Sequence, residues 1–460
     1  MHGSILYGGH RNYRFFPSSM TNDRKLPDGL AVPGGRAARL LRFGSLVSGI
    51  AGGMMIDGVR QIASGKRPRL SELILTPANA LRLTDQLSRL RGAAMKLGQL
   101  LSLDAGELLP PELSAILARL RAEARPMPAR QLERVLMAAW GPGWESKLAS
   151  FDRRPFAAAS IGQVHRAVTK SGRDLAIKVQ YPGVARSIDS DVDNVVALLK
   201  LSNLLPRHID LGPVLAEAKV QLHQEADYAR EAAMLTRFGK LLADDARFVV
   251  PRRYAPLSGP TVLAMDYLPG VAVDTLSGAP QATRNAVAAS LCELVLRELF
   301  EFGLMQTDPN FANYLYDGPS GRITLLDFGA TRAIPSAMVE GYRRLLAAAL
   351  IQDRSGVRTA IGALGLASPR AFDRHPGEMD RIIGSLLELF AADTPIDFAD
   401  RRVSNAVRDE AFVVAADRAN WIIPPPDALF IQRKLGGTFL LAAQLRARID
   451  LRGLIGRYVG

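Results

Sequence analysis

At Ala157 the period of the sequence changes. Upstream, between Thr76 and Arg121, apolar residues recur at the three- and four-residue steps of a helix, with Pro110-Pro111 dividing two helices. Downstream, Gln163 to Val168 and Asp174 to Gln180 are short β-rich runs separated by the turn signal Ser171-Gly172, which specifies a small antiparallel sheet. Helical spacing returns over Val184 to Leu205 and Leu211 to Lys240. Thr261 to Tyr267 is a further strand, and helix then dominates to the end. In Val287, Leu291, Leu294, Val295, Leu299 and Phe302 the steps define one buried helical face.

Composition sets the class around this pattern. With 460 residues, 48% hydrophobic and 22% charged, the chain can bury a large core in more than one lobe, which excludes a disordered tail or a small stapled domain. Lys plus Arg number 58 against 45 for Asp plus Glu, a formal net charge of +13 that favours anionic partners, phosphates and acidic lipid headgroups first. Aromatic residues are only 7% and no basic-aromatic run offers a stacking platform, so no nucleic-acid partner is expected. The one cysteine, Cys292, excludes a disulfide framework and a cysteine zinc site and suits a reducing compartment.

No segment reaches the roughly 18 consecutive apolar residues of a membrane-spanning helix. Phe43 to Ile56 comes nearest and stops at Asp57. It is rich in glycine and flanked by Arg36, Arg39, Arg42 and Arg60, which predicts peripheral attachment to an anionic membrane, with core or dimer packing of its glycines as the rival. The N-terminus lacks the pattern of a secretory signal, and Met20 is an alternative start to Met1.

Three segments, supplying four residues, carry chemistry only when read together. Leu175 to Lys178 ends a β-run on a lysine, the position from which a kinase lysine reaches α- and β-phosphates. Gln306-Thr-Asp308-Pro-Asn-Phe-Ala-Asn313 sets an Asp and an Asn five residues apart, the interval of a kinase catalytic loop. Fourteen residues beyond Asn313, after the apolar strand Ile323 to Leu326, comes Asp327-Phe328-Gly329, a carboxylate for Mg²⁺ beside a backbone that can turn sharply. A lysine ending a strand or an Asp-Asn pair in a turn is commonplace alone. All four acids, amides and cations in kinase order and on the right elements are not.

The nucleotide loop departs from the kinase template. Its glycine positions fall on Ala157, Ala159 and Gly162, so two of three are alanine, which restricts φ and adds a methyl where phosphate would approach. The bland alternative is a small-residue β-turn. The helix from Leu211 carries Glu217, Glu225, Asp227 and Glu231. At about 100° per residue Glu225 and Glu231 project about 120° apart, which predicts separate partners, while Glu217 reads as part of a solvated face. Lys96 and Gln99, three apart on one helical face, read alone as surface residues.

Together these residues closely resemble the UbiB family of atypical protein-kinase-like proteins, which assist ubiquinone biosynthesis, from about Arg39 to the C-terminus. Lys96-Leu-Gly-Gln99 is similar to the family's K-x-G-Q motif, Ala157 to Gln163 to its alanine-rich loop, and Glu225-Ala-Asp227 to its E-x-D motif. Lys178, Glu231, Asp308, Asn313 and Asp327 match its kinase-type positions, and the loop Gln306 to Asn313 looks like the mitochondrial and alphaproteobacterial branch.

The resemblance implies an α+β, bilobal protein-kinase-like fold, with a β-rich N-lobe over 151–268, a helical C-lobe over 269–460 and a helical N-terminal extension (67–150) over the active site, preceded by a flexible 1–35 and the basic glycine-rich 36–66. It implies ATP or ADP with Mg²⁺ as cofactors: Lys178 on the phosphates with Glu231 positioning it, Ala157, Ala158, Ala159, Ser160 and Gly162 around them, and Met265 and Leu268 at the adenine edge. Asn313 and Asp327 would hold Mg²⁺, and Asp308 would be the catalytic base or orient water. Lys96 and Gln99 would regulate from the extension, Lys96 meeting Glu225 and Asp227 and occluding peptide substrates. Only five residues separate Gly329 from Pro335, little room for a peptide platform. The expected activity is an ATPase coupled to quinone-like lipid handling on the inner membrane of a bacterial cytoplasm, alongside other quinone-biosynthesis proteins. A small-molecule or lipid phosphotransferase comes second and a nucleotide-binding scaffold third.

Overall fold

The computed structural model describes residues 126–159, 161–201, 212–391, 394–417 and 424–460. Within them the chain forms two units, one from residues 126–201 and Arg253–Tyr267, the other from residues 212–252 and Leu268–Gly460. The expected division near residue 268 is one point at which the chain passes between units, and the segment Arg253–Tyr267 returns to the first after an excursion into the second.

In the first unit, helix α1 (Ala129–Trp140) turns Leu132, Leu136 and Trp140 inward at four-residue steps and stops at Gly141, whose φ of +85° only glycine adopts easily. Strands β1 (Leu148–Phe151), β2 (Ala157–Ala159), β3 (Gly162–Thr169), β4 (Asp174–Gln180) and β6 (Val262–Asp266) make an antiparallel sheet in the order β1-β3-β4-β6, with β2 pairing the start of β3. Both expected β-runs are strands, and Gly172, at φ +82°, makes the turn between them. From Leu175 to Gln180 every residue of β4 is buried. Helix α2 (Val184–Leu201) follows.

A buried polar relay crosses this unit. The Met127 N–H donates to Gln163 Oε1 at 2.8 Å, which turns the Gln163 amide nitrogen toward His165 Nε2, also 2.8 Å away. That nitrogen must then accept, so the imidazole proton sits on Nδ1, 2.8 Å from the Asp152 carbonyl that accepts it. His165 is fully buried and stacks on Phe151 at 5.1 Å, and burial drags its pKa down to about 4, the Asp152 carbonyl opposing.

The second unit begins with α3 (Gly212–Glu225) and α4 (Tyr228–Leu241). The sequence predicts one helix here; the chain breaks at Ala226-Asp227, and Asp227 caps α4 by accepting the Arg230 N–H at 3.0 Å. Strands β5 (Phe248–Val249), β7 (Val271–Ala272), β9 (Tyr314–Asp317) and β10 (Arg322–Leu325) form a sheet in the order β5-β10-β9-β7. Helix α5 (Gln281–Phe300) precedes β8 (Leu304–Gln306), which pairs with β11 (Thr331–Ala333). Then come α6 (Ser336–Leu350), α7 (Arg354–Ala363), α8 (Pro369–Arg374), α9 (Pro376–Glu388), β12 (Ile396–Asp397), α10 (Arg402–Ala416), α11 (Pro426–Gln444), β13 (Arg448–Ile449) and α12 (Leu451–Val459).

The predicted stripe of α5 is buried from Val287 to Leu299, while Phe302 lies past the helix end, half-buried and edge-on to Phe238. Val295, Leu299, Met305, Ile334, Tyr342, Leu364 and Ile431 form one core cluster beneath the β8–β11 ribbon. On α11, Gly437 leaves room for Pro309: a Cβ there would overlap the proline ring, whereas one on Gly436, a residue earlier, would meet nothing within 4 Å.

Two outcomes follow for stability. Gly437→Ala should lower the unfolding free energy by about 1–3 kcal/mol through overpacking, while Gly436→Ala should raise it by about 0.5–1 kcal/mol through helix propensity alone; denaturant melts of the pair measure both, and equal shifts would contradict the packing. For His165 the folded pKa of about 4 lies below the 6.5 of an unfolded histidine. Between those values the unfolded chain binds the extra proton, so this contribution is complete above pH 6.5 and lost as pH falls toward 4, by about 3 kcal/mol at most. Denaturant melts over that window should show a shallower pH slope, by up to one proton, in His165→Phe than in the parent.

Candidate active site

Lys178 sits in the middle of the first unit's sheet, register-paired with Val164 on β3 and Leu263 on β6, and is 6% exposed between the fully buried Ile177 and Val179. A lysine held on a strand so closed to water needs an anion at its ammonium end. The alanine-rich segment is a hairpin: Ala157 faces Val164, Ala158 faces Gln163 and Ala159 faces Gly162. Ile161, in its turn, is buried, and its carbonyl accepts the Tyr181 N–H at 2.9 Å, which ties the tip to the end of β4. The expected loop is therefore also the small-residue β-turn that was its alternative. Ser160, Lys96 and Gln99 lie outside the described residues, as does the basic stretch Arg36 to Arg60. Met265 is buried near the end of β6, and the chain leaves the first unit at Tyr267, so Leu268 opens the second, half-buried.

The remaining predicted residues belong to the second unit. Glu225 ends α3, Asp227 caps α4 and Glu231 stands in its first turn, 1% exposed. Because the helix breaks between them, the helical-wheel angle between Glu225 and Glu231 does not apply. Glu225 packs beside Gly329, where a Cβ would lie 3.6 Å from Glu225 Cγ and 3.3 Å from Asp327 Oδ1. A larger residue after Phe328 would thus crowd both carboxylates. Arg230, which no motif marked, donates to the Gly329 carbonyl at 2.8 Å and to the Thr331 carbonyl, clamping the turn that follows Asp327. Glu217 is not on a solvated face: it pairs with Arg332, itself only 17% exposed at its side chain.

Asp308 and Asp327 are held near each other by backbone pairing. Gln306 registers with Thr331, and the N–H and hydroxyl of Thr307 both donate to the Ala330 carbonyl, at 3.1 and 2.7 Å. The Leu326 N–H donates to the Asn313 carbonyl at 2.9 Å, so the loop's far end is fixed to the strand before Asp327. Asn313 Nδ2 points at Asp308 Oδ2, 3.5 Å away, which leaves the amide oxygen facing elsewhere, and Asp327 Oδ1 accepts the Gly329 N–H at 2.9 Å. An amide oxygen and a carboxylate are hard donors, few in number, and fit Mg²⁺, which keeps water or phosphate for its other positions. Among the described residues no cluster of three or more His, Cys, Asp or Glu forms a richer metal set. Phe328 is buried against Phe238 of α4, ring centroids 4.7 Å apart.

Beneath the loop lies an arrangement absent from the sequence reading. Lys434 of α11 donates to Gln306 Oε1 at 3.0 Å and to the Tyr314 hydroxyl at 2.8 Å, with Glu298 Oε2 of α5 at 3.3 Å. Burial pushes the Glu298 carboxyl up from its ordinary value, against the pull of Lys434. Burial works against the Lys434 charge too, yet Glu298 and Tyr314 hold its pKa above the usual value. The only signal in the sequence was a charged residue at inward-facing positions of two apolar helices.

The structure thus brings together Asp308 with Asn313, and Asp327 with Glu225 through Gly329, within the second unit, while Lys178 and the alanine hairpin belong to the first. Residues 119–361 match the family described as the ABC1 atypical kinase-like domain. The chain is 39% identical over 91% of its length to "Atypical kinase COQ8, mitochondrial" of Saccharomyces cerevisiae, covering 84% of that protein. It is 40% identical over 92% of its length to the mitochondrial atypical kinase COQ8B of Rattus norvegicus, covering 80%. A solved structure of Rv3197 from Mycobacterium tuberculosis, in complex with erythromycin, superposes with a TM-score of 0.58 at 25% identity, over 83% of this chain and 96% of that one. The fold is accordingly protein-kinase-like, a β-rich N-terminal sheet and a helical C-terminal part, and such a fold implies a nucleotide ligand. By its family match and its relatives, the chain belongs to the ABC1 (UbiB) family of atypical kinase-like proteins.

Proposed function

We propose that this protein is a Mg²⁺-dependent ATPase that supports isoprenoid quinone biosynthesis from a membrane surface. Lys178 binds the α- and β-phosphates with Glu231 as its counter-charge, the hairpin Ala157–Gly162 borders the phosphates, and the backbone from Met265 to Leu268 meets the adenine edge. Asn313 and Asp327 hold Mg²⁺, which when bound neutralises charge on the phosphate oxygens. Asp308, within reach of the Asn313 amide, orients the attacking water and takes its proton.

One observation carries the choice of ATPase over protein kinase. After Asp327-Phe328-Gly329 the chain turns straight back: Thr331 to Ala333 pair with Leu304 to Gln306, the Ile334 N–H donates to the Gly303 carbonyl at 2.9 Å, and α6 starts at Ser336. A peptide-docking segment has no length to form. The same closure favours a small acceptor as the second reading, transfer of the phosphoryl group to a small molecule or lipid. The charge of +13 supports an anionic surface as the place of action, and among the described residues no helix is long and apolar enough to cross a membrane.

Purified protein with Mg-ATP should release phosphate, and anionic liposomes should raise the rate where neutral ones do not. Phosphate appearing on an added lipid, read by mass spectrometry, would establish the second reading instead. Lys178→Ala should cut turnover at least about 100-fold, since it removes the phosphate-facing cation and leaves a buried acid without it. Asp327→Asn keeps the shape but loses a hard anion, so the Mg²⁺ dependence of nucleotide affinity should shrink several-fold. Wild-type hydrolysis in the first variant, or an unchanged Mg²⁺ titration in the second, would refute the assigned roles.

A further inference from the structure

The loop from Asp308 to Asn313 contains a proline, no regular strand and only a short 3₁₀ turn over Phe311–Asn313, so its own backbone fixes little of its shape. Its ends are nevertheless tied to one point. Gln306 stands two residues before Asp308, Tyr314 one residue after Asn313, and both side chains accept hydrogen bonds from the ammonium of Lys434, at 3.0 and 2.8 Å. Glu298 Oε2 lies 3.3 Å from that ammonium as its counter-charge, and Glu298 Oε1 accepts the Gln306 N–H at 3.4 Å. Side-chain exposures of 2% for Lys434 and 1% for Glu298 leave the pair no water. One helical turn on, Gly437 of the same helix receives Pro309, the residue after Asp308.

A buried ion pair of this kind adds little stability over well-packed apolar residues of the same volume. What it does supply is direction. An ammonium has N–H bonds at fixed angles, and here two are spent on Gln306 and Tyr314, whose hydroxyl also lies 3.5 Å from Gln306 Oε1, so one nitrogen joins the side chains at the loop's two ends with Glu298 as its counter-charge. Leu or Met in its place would fill the volume but drop this link, leaving the two ends to their separate backbone pairings with Thr331 and Leu325. Burial pushes the Tyr314 hydroxyl up from its ordinary pKa, so it stays a neutral donor and acceptor at this point.

We propose that Lys434, held by Glu298, is a positioning residue for the phosphoryl-transfer chemistry: it fixes the separation of Asp308 and Asn313 by gripping Gln306 and Tyr314 at the two ends of their loop. It touches neither nucleotide nor metal. Its effect should therefore fall on kcat and spare nucleotide affinity, because the groups assigned to the phosphates on β4 are untouched. This rests on the ATPase reading above.

The test compares Mg-ATP hydrolysis by the full-length parent, Asp308→Asn, Tyr314→Phe, Lys434→Arg, and the double variant Lys434→Met with Glu298→Gln, which removes both charges and leaves none buried alone. The double variant should melt within a few degrees of the parent, bind nucleotide within twofold, and lose at least tenfold in kcat with KM for ATP within twofold. Tyr314→Phe, which deletes one oxygen, should lose several-fold in kcat alone, and Lys434→Arg should keep more activity than the double variant. If the double variant does not fold, Tyr314→Phe decides by the same split. A parent that hydrolyses ATP, an Asp308→Asn variant that does not, and kcat within twofold of parent in both the double variant and Tyr314→Phe would overturn this inference and leave the ATPase reading intact. A parent without turnover, or full activity in Asp308→Asn, would overturn both.

Discussion

The pairing of β8 with β11 is the constraint on which the second unit's chemistry depends. Three register pairs, from Thr331 with Gln306 to Ala333 with Leu304, join segments that each lead directly into or out of an acidic loop. Thr307 extends the ribbon by giving both its N–H and its hydroxyl to Ala330. Short two-stranded ribbons are marginal alone. This one is kept by the core below it, where Met305 and Ile334 are packed with Val295, Leu299 and Ile431, and by Arg230, which bonds to the carbonyls of Gly329 and Thr331 from α4. Asp308 and Asp327 each lie within four residues of that ribbon, so its pairing places the segments that carry them.

In each unit, polar groups deep in the interior are satisfied by groups distant in sequence. In the first unit the chain Met127, Gln163, His165, Asp152 links the residues before α1 to the strand that follows the alanine hairpin, with a single neutral tautomer allowed. In the second, Lys434 and Glu298 bracket the loop of Asp308. Each unsatisfied member would cost about 1–3 kcal/mol, so such relays tolerate one arrangement and reject slipped ones. That suits loops carrying reactive groups, which regular secondary structure does not order.

Family membership and local geometry answer different questions. The relatives, named atypical kinases, establish lineage and kinase-like fold. The proposed reaction class rests on something smaller, the seven residues from Gly329 to Pro335, of which Thr331 to Ala333 fold back on β8. Similarly, the hairpin geometry of Ala157 to Gly162 explains how alanine can replace glycine there: β pairing needs no positive φ, and methyl groups fit a strand as they would not fit a loop wrapped on phosphate.

Much of this protein was determined by its sequence alone. The strand holding Lys178, the turn at Gly172, the α5 stripe and the order Lys178, Asp308, Asn313, Asp327 were legible because each rests on period, turn chemistry or motif spacing. Where the reading went astray, longer-range or finer effects decided. The 211–240 helix was read as continuous because its apolar period is continuous, yet Asp227 caps a new helix and resets the geometry of Glu225 and Glu231. Glu217 looked solvated until Arg332, 115 residues away, folded onto it. Lys434 stands 128 residues from Gln306 and 120 from Tyr314, and nothing in its own segment says that an ammonium there will be buried and shared between them. Periodicity tells which way a side chain faces; only the closed tertiary structure tells what it meets, because a buried charge's partner is chosen by topology and not by its place in the chain.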